Sequence, residues 1–378
     1  MKLAIATGTR ADWGLLSPLA DSLKNAGNEI LIYATNMHLL TELGDTWKEI
    51  EADGFPIKRK IPAEGGRTRI TADALSGFGK ALAEDNPDAL IILGDRFEML
   101  GAASAASLEG IPIIHIAGGT VSEGAIDDSI RHVITKLSTL HLVETELCRR
   151  RVIQMGESPE RVIHTGAIGV YNALSVSTMT KDDFERSVGF HMPDTTFLIT
   201  LHPATLSTLT PERQYDELLS ALERFPEYGY LITYPNNDTD PTPLIRKINA
   251  FAEKDPERRF AIPSLGRKRY MSALRYVKGV IGNSSSGIVE VPSTGIPTLD
   301  IGIRQKGREH GPSVSHCGDT VEEIASGIEL IMSENVRDTA SRRVNPYYME
   351  NTPAIMTDAI MSYHFSKYPI KRFYDVRF

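Results

Sequence analysis

Short apolar runs recur along this chain, and each is followed by polar or glycine residues and then by a helical pattern. Lys2–Thr7, Glu29–Ala34, Ala89–Leu93, Ile111–Ile116 and Leu140–Val143 read as strands. Asp12–Ala26, Thr41–Ala52, Thr71–Glu84, Phe97–Leu108 and Asp127–Leu137 read as helices; in the first, Trp13, Leu16, Leu19, Ala20 and Leu23 repeat at helical spacing. Strand–helix alternation of this kind implies a parallel sheet with helices on both faces. The pattern restarts after about Gly169. Phe197–Leu201, Tyr228–Thr233, Arg259–Ile262, Val277–Ile281 and Thr298–Ile301 read as strands. Pro211–Phe225, Pro243–Glu253, Lys268–Val277, Ile288–Gly295 and Thr320–Ser333 read as helices. The expected fold class is therefore α/β. It has two Rossmann-like domains with parallel sheets, residues 1–168 and 169–351, and a last helix from Thr352 within 352–378 that packs back on the first.

Open α/β sheets bind ligands outside the carboxyl ends of their strands, so an active site is expected in the cleft between the domains. Polar residues should then cluster just after strands, and they do. Gly8-Thr9-Arg10-Ala11-Asp12, Gly94-Asp95-Arg96, His115-Ile116-Ala117-Gly118-Gly119, His202-Pro203, Tyr234-Pro235-Asn236-Asn237-Asp238 and Gly302-Ile303-Arg304-Gln305 all sit there. So does Gly282-Asn283-Ser284-Ser285-Ser286-Gly287-Ile288-Val289-Glu290. Three serines at a strand-to-helix junction offer hydroxyls and unpaired backbone N–H groups to a phosphate. Glu290 further on could accept from ribose hydroxyls. The plain alternative is a serine N-cap on an ordinary helix.

Composition excludes several classes. The chain has 378 residues, 41% apolar and 24% charged, with a formal net charge of -8. That balance argues against a nucleic-acid partner, which favours a basic face. No run is long enough to span a membrane. The apolar stretch after Met1-Lys2 is too short for a signal-peptide core. The two cysteines, Cys148 and Cys317, show neither metal-ligand spacing nor a disulfide framework. These features lead to an expectation of a cytoplasmic protein with no metal site.

Single residues have plain readings too. Asp95 reads equally as a helix N-cap with Arg96 in solvent. Asp127 and Asp128 in a first helical turn complement the helix dipole, and at most one of them should face the cleft. Arg10 before a helix could neutralise a diphosphate. His38 could reach a sugar, although a lone histidine is more often structural.

Taken together, the motifs resemble the hydrolysing UDP-N-acetylglucosamine 2-epimerases of sialic acid biosynthesis. That group includes relatives acting on diacetylated bacillosamine nucleotides in legionaminic acid pathways. The resemblance rests on Gly8–Asp12, Gly94-Asp95-Arg96-Phe97-Glu98, Asp127-Asp128-Ser129-Ile130-Arg131-His132, Thr135–Ser138, Tyr234–Asp238, Gly282–Glu290 and Gly302–Gln305, in family order. It implies two Rossmann-like domains in the GT-B arrangement and a homodimer or homotetramer. The chemistry it implies is elimination of the nucleoside diphosphate across C1 and C2 to a glycal, then rehydration to the free manno sugar. Such a reaction needs carboxylates on each side of the ring and cations at the diphosphate, and no cofactor.

By that resemblance Asp95 and Asp127 are the acid/base candidates, and His202 assists near the phosphate or sugar. Arg10, Ser284, Ser285, Ser286 and Arg304 would hold the diphosphate, Glu290 the ribose, and Asn236 the sugar or nucleotide. Asp12, His38, Arg96, Arg131 and His132 complete the expected contacts. One departure stands out. Several family members carry a glutamate where this chain has Ala117, and others a histidine followed by Gly-Gly-Glu, whereas here the sequence is Ala117-Gly118-Gly119-Thr120. Glu123, in the longer loop that follows, is a candidate replacement on sequence proximity alone. UDP-N-acetylglucosamine is the default substrate, and a UDP- or GDP-linked 2,4-diacetamido-2,4,6-trideoxy sugar the alternative. The Arg10-Ala11-Asp12 triplet favours the hydrolysing over the non-hydrolysing type, and no acceptor site suggests a glycosyltransferase. A nucleotide-sugar-binding protein without catalysis is the reading from a different class.

Overall fold

The structure, a computed structural model, describes residues 1–123, 126–204, 207–235 and 241–376. The chain divides into two compact units. One comprises Met1–Thr120, Ile126–Asn172 and Met349–Phe378, and the other Val121–Ala125 and Ala173–Tyr348.

The first unit holds β1 (Lys2–Thr7), β2 (Glu29–Thr35), β3 (Ile57–Ile61), β4 (Ala89–Leu93), β5 (Ile113–Ile116), β6 (Leu140–Val143) and β7 (Val162–His164). They form one sheet in the order β3-β2-β1-β4-β5-β6-β7, with every pairing parallel. Both faces are buried. Leu3, Ile5 and Ile91 enter one apolar core, and Ala4, Ala6, Leu90 and Ile92 enter the other. This is why these strands are apolar throughout.

The second unit holds β8 (Thr196–Thr200), β9 (Gly229–Thr233), β10 (Arg259–Ile262), β11 (Gly279–Gly282), β12 (Thr298–Ile301) and β13 (Val314–Cys317). Their order is β10-β9-β8-β11-β12-β13, again all parallel. Ile199, Ile232 and Ile281 face one core, and Leu198, Leu231 and Val280 the other.

In each sheet the strand order reverses once, between β1 and β4 and between β8 and β11. Such reversals open a crevice at the carboxyl ends of the two strands concerned. The polar loops after these four strands are therefore brought together in pairs, each pair within its own unit.

Local packing explains the small-residue helix Phe97–Leu108. A Cβ at Gly101 would lie 2.9 Å from Ala74 Cβ and from Leu75 N, so the helix sits tightly against helix Arg67–Asp85. Helix Thr352–Ser362 packs on helix Arg10–Asn25. Met356 and Ile360 share a core with Leu16, Leu19 and Leu23, and Thr357 Oγ1 donates to Ser22 Oγ at 2.8 Å.

Several elements differ from the sequence reading. Thr41–Ala52 is not one helix: a 3₁₀ turn, Thr41–Leu43, ends at Gly44 with φ 91, and helix Trp47–Ala52 follows. The segment read as helix Ile288–Gly295 begins earlier and breaks sooner. Helix Ser285–Val289 gives way to a 3₁₀ turn, Val291–Thr294, because Pro292 has no N–H to continue the ladder. Strands β3, β7 and β13 carried no apolar run. β3 reads Ile-Lys-Arg-Lys-Ile and lies at an edge, where charged side chains reach water.

Replacing Ile360 by alanine should remove about 2–5 kcal/mol of stability. Denaturant unfolding followed by tryptophan fluorescence would measure it, since Trp13 lies in the same core.

Candidate active site

At the first sheet's reversal, the loop after β1 is fixed by reciprocal bonds. Thr9 caps helix Arg10–Asn25, its Oγ1 accepting from Asp12 N at 3.2 Å, while Asp12 Oδ2 accepts from Gly8 N at 3.3 Å. Burial pushes the Asp12 carboxyl up to about 6. The Arg96 guanidinium opposes that rise and the Glu98 carboxylate adds to it. Arg10 extends into solvent with Glu49 3.9 Å away, which leaves its charge exposed to an anion.

His38 departs from its sequence expectation. It is fully buried, with Nε2 2.9 Å from Thr7 Oγ1 and Nδ1 2.8 Å from Thr46 Oγ1. Burial holds it down at about 4. Both ring nitrogens are engaged, so the neutral ring braces the end of β1 and offers no nitrogen to a sugar.

After β4, Arg96 rather than Asp95 occupies the N-cap position of helix Phe97–Leu108. The Asp95 carboxylate instead pairs with Arg131, which is almost fully buried and also donates from Nη1 to Thr120 O at 2.6 Å. Arg96 Nε donates to Glu98 Oε1 at 2.5 Å. Burial pulls the Arg96 guanidinium down, but the carboxylates of Glu98, Asp12 and Asp127 together hold it above its ordinary value. The two adjacent aspartates of helix Asp127–Leu137 thus diverge. Asp127 acts on Arg96, and Asp128 reaches Arg131 at 3.3 Å and His132 at 3.4 Å. At the carboxyl end of this sheet Asp95 is thus paired with a guanidinium, and the Asp127 charge acts on another.

The loop after β5 places Ala117 at φ 67, a left-handed conformation costly for any residue with a Cβ. His115 below it is buried, with Nε2 2.8 Å from Gly94 O and Nδ1 3.2 Å from Thr135 Oγ1; burial holds it down at about 3. Glu123 groups with the second unit, where its half-exposed carboxylate pairs with Lys306 at 3.3 Å and its N–H donates to Lys306 O at 3.3 Å. The chain changes unit between Thr120 and Val121, so Glu123 and Ala117 belong to different units.

At the second sheet's reversal, Asn283 is the organising residue. Its Oδ1 accepts from His202 N at 2.7 Å and its Nδ2 donates to His202 O at 2.8 Å. Its main-chain oxygen accepts from Arg304 Nη1 at 3.0 Å and Gln305 Nε2 at 2.8 Å. One buried residue, through its side chain and its main-chain oxygen, therefore locks together the loops after β8, β11 and β12. Burial and the Arg304 charge hold His202 down at about 3, so its ring is neutral. Ser284 is the N-cap residue of helix Ser285–Val289 but makes no side-chain cap bond, so its hydroxyl is not consumed by capping. Ser285 is exposed, and Ser286 Oγ lies 2.7 Å from the Tyr270 hydroxyl. Glu290 closes this short helix. Asn236 lies outside the described residues.

Two residues escaped the sequence reading. Glu98 was quoted within a motif but given no role. Its signal is that it is the only charged residue in an otherwise small and apolar helix. Asn283 had no signal of its own beside three serines. Among the described residues, no group of three or more His, Cys, Asp or Glu side chains is arranged to hold a metal ion.

Comparison with known proteins accords with this geometry. Residues 21–361 match the family described as UDP-N-acetylglucosamine 2-epimerase. The chain is 36% identical to polysialic acid biosynthesis protein P7 of Escherichia coli, over 99% of this chain and 97% of that protein. It is also 36% identical to a GDP/UDP-N,N'-diacetylbacillosamine 2-epimerase (hydrolyzing) of Campylobacter jejuni, over 81% of this chain and 82% of that one. Among solved structures, the UDP-GlcNAc 2-epimerase of Neisseria meningitidis bound to UDP-GlcNAc shares the fold. The TM-score is 0.81 at 18% identity, covering 96% of this chain and 100% of that one.

The buried histidines fix a pH dependence. His38 and His115 titrate near 4 and 3 when folded but near 6.5 when unfolded. Below about 6.5 the unfolded chain binds more protons. Stability is therefore fully present above that pH and lost as the pH falls toward the folded values, by up to about 1.4 kcal/mol per pH unit for each ring. Urea midpoints should fall between pH 7 and pH 5, and His115→Asn should flatten the slope. Equal slopes in the two proteins would contradict the assignment.

Proposed function

Because this chain belongs to the UDP-N-acetylglucosamine 2-epimerase family, we propose that it is a hydrolysing 2-epimerase. In this reading it converts UDP-N-acetylglucosamine and water to N-acetylmannosamine and UDP, for the synthesis of sialic-type acids. The observation that carries the reading is the pair Asp95 and Asp127. They lie at the carboxyl end of one sheet, where Asp95 pairs with Arg131 and the Asp127 charge acts on Arg96. One carboxylate removes the C2 proton as the C1–O bond to the diphosphate breaks, leaving a C1–C2 double bond. Water then adds its hydroxyl to C1 as the other carboxyl, in its acid form, delivers a proton to the opposite face of C2; the proton lost by the water restores that acid, and the first carboxyl returns its proton to solvent. Moving protons on both faces is what inverts C2.

The remaining residues divide by unit. In the first unit Arg10, Asp12, Arg96, Arg131 and His132 would complete the contacts to the substrate. In the second unit Ser284, Ser285, Ser286 and Arg304 would take the departing diphosphate. There Glu290 would take the ribose, and neutral His202 would donate or accept at a phosphate or sugar oxygen. The protein would act in the cytoplasm as a homodimer or homotetramer.

A second substrate is favoured by a specific observation. The Campylobacter jejuni relative is named for N,N'-diacetylbacillosamine linked to GDP or UDP, and a Legionella pneumophila relative, 33% identical over 88% of this chain, for the UDP form. Ala117 also leaves the loop after β5 without a polar side chain. The 2,4-diacetamido-2,4,6-trideoxy sugar is therefore the alternative substrate for the same reaction.

Phosphorus and proton NMR of the protein with each nucleotide sugar is the test. Release of UDP together with the free 2-epimeric sugar is expected, with one deuterium at C2 in D₂O. A nucleotide-linked epimer without UDP release would mean the non-hydrolysing type. Asp95→Asn should lower kcat by roughly 10²–10⁴-fold with UDP binding retained. Unaltered behaviour of that variant would point to a binding protein instead.

A further inference from the structure

The first sheet's reversal holds one carboxylate to which the proposed reaction assigns no task. Glu98 is fully buried at the second position of helix Phe97–Leu108. Its Oε1 accepts from Arg96 Nε at 2.5 Å, and its Oε2 is buried with no hydrogen-bond partner among the described residues. A Cβ at residue 8 would collide with Oε1, so the glycine lets the β1 loop lie directly against this carboxylate. The buried, unpartnered oxygen costs free energy that a packed apolar side chain would not. Such a cost usually marks a functional constraint.

We propose that Glu98 is a positioning residue for the reaction read above, anchoring Arg96 through Nε so that its guanidinium is held at the end of β4. An arginine side chain loses about 2 kcal/mol of rotamer freedom when pinned. A charged acceptor on a fixed helix supplies the anchor through Nε. The terminal nitrogens then point away from the anchor, where Nη2 meets only the weak acceptor Met37 Sδ at 3.7 Å. That end of the fork suits an anionic oxygen of the leaving diphosphate.

Charge balance gives Glu98 a second consequence. The groups facing Asp12 are Thr9 and Gly8 from its own loop, and Arg96 and Glu98 from the β4 side. Those facing Arg96 are Glu98, Asp12 and Asp127. Burial is the main reason that Asp12 holds a proton more readily than an isolated aspartate; Arg96 opposes the rise, and the Glu98 charge adds to it.

The test uses the full chain and two readouts. In ligand-free protein, carboxyl ¹³C NMR follows the Asp12 titration, with its signal assigned by its loss in Asp12→Asn. Glu98→Gln keeps an acceptor for Arg96 but removes the charge, so the Asp12 titration should move down by about one pH unit. With whichever nucleotide sugar is turned over, kcat should fall about tenfold while the thermal midpoint stays level or rises. An unmoved titration, or a shifted titration with wild-type kcat, overturns the proposal. If Glu98→Gln does not fold, Glu98→Asp carries the test. It keeps the charge but withdraws it by one methylene from Nε, so kcat should fall, and a wild-type kcat would overturn the proposal. Should neither sugar be turned over, the reaction assigned above fails, and the titration alone still decides the Glu98–Asp12 coupling.

Discussion

Both sheets are covered on both faces, and that burial governs where polar chemistry can sit. A strand whose every side chain meets a core has no place for a charge along its length. Ionisable groups are pushed to the strand ends, and the single reversal of strand order in each sheet gathers those ends into a crevice. Asp95, Asp127, Arg96 and Arg131 share one such crevice, and His202, Asn283 and Arg304 another. The same constraint explains why the polar residues left inside are neutral or paired. His38 and His115 are held neutral by burial, and Arg131 is buried against Asp95, Asp128 and a backbone carbonyl.

Much of this was legible in the sequence because buried parallel strands are apolar runs and functional loops follow them. Ala89–Leu93, Phe97–Leu108, Asp127–Leu137 and Leu140–Val143 fall where the pattern puts them. The two-unit α/β fold and the family both follow from that pattern and its motifs. Edge and short strands were missed for the opposite reason. β3 holds Lys58, Arg59 and Lys60 between two isoleucines, and β7 has only three residues, so neither makes an apolar run.

Side-chain roles were legible only where type and place coincide. The pairing of Asp95 with Arg131 joins residues 36 apart in sequence, and the Asn283 bonds to His202 join residues 81 apart. No local pattern encodes either. Glu123 shows a further limit: a unit boundary at Val121, invisible in the sequence, assigns it to a different unit from Ala117. His38 was open to a functional reading until both its nitrogens were accounted for. The serine segment was weighed against a plain N-cap, and Ser284 makes no side-chain cap bond.

Ala117 separates two properties that usually travel together. Its backbone adopts a left-handed turn that glycine would enter freely and that an L-residue enters at a cost of roughly 1–2 kcal/mol. The side chain on that turn is only a methyl. The shape of the loop is thus held by its neighbours, by Ala117 N–H donating to Leu142 O, by the close packing of Gly118 and Gly119 and by Arg151 and Arg131 donating to Gly119 O and Thr120 O, and not by the Ala117 side chain. A loop built this way lets the chemistry at its apex vary without a new backbone. Divergence in substrate within such a fold can then proceed by side-chain exchange on a conserved scaffold.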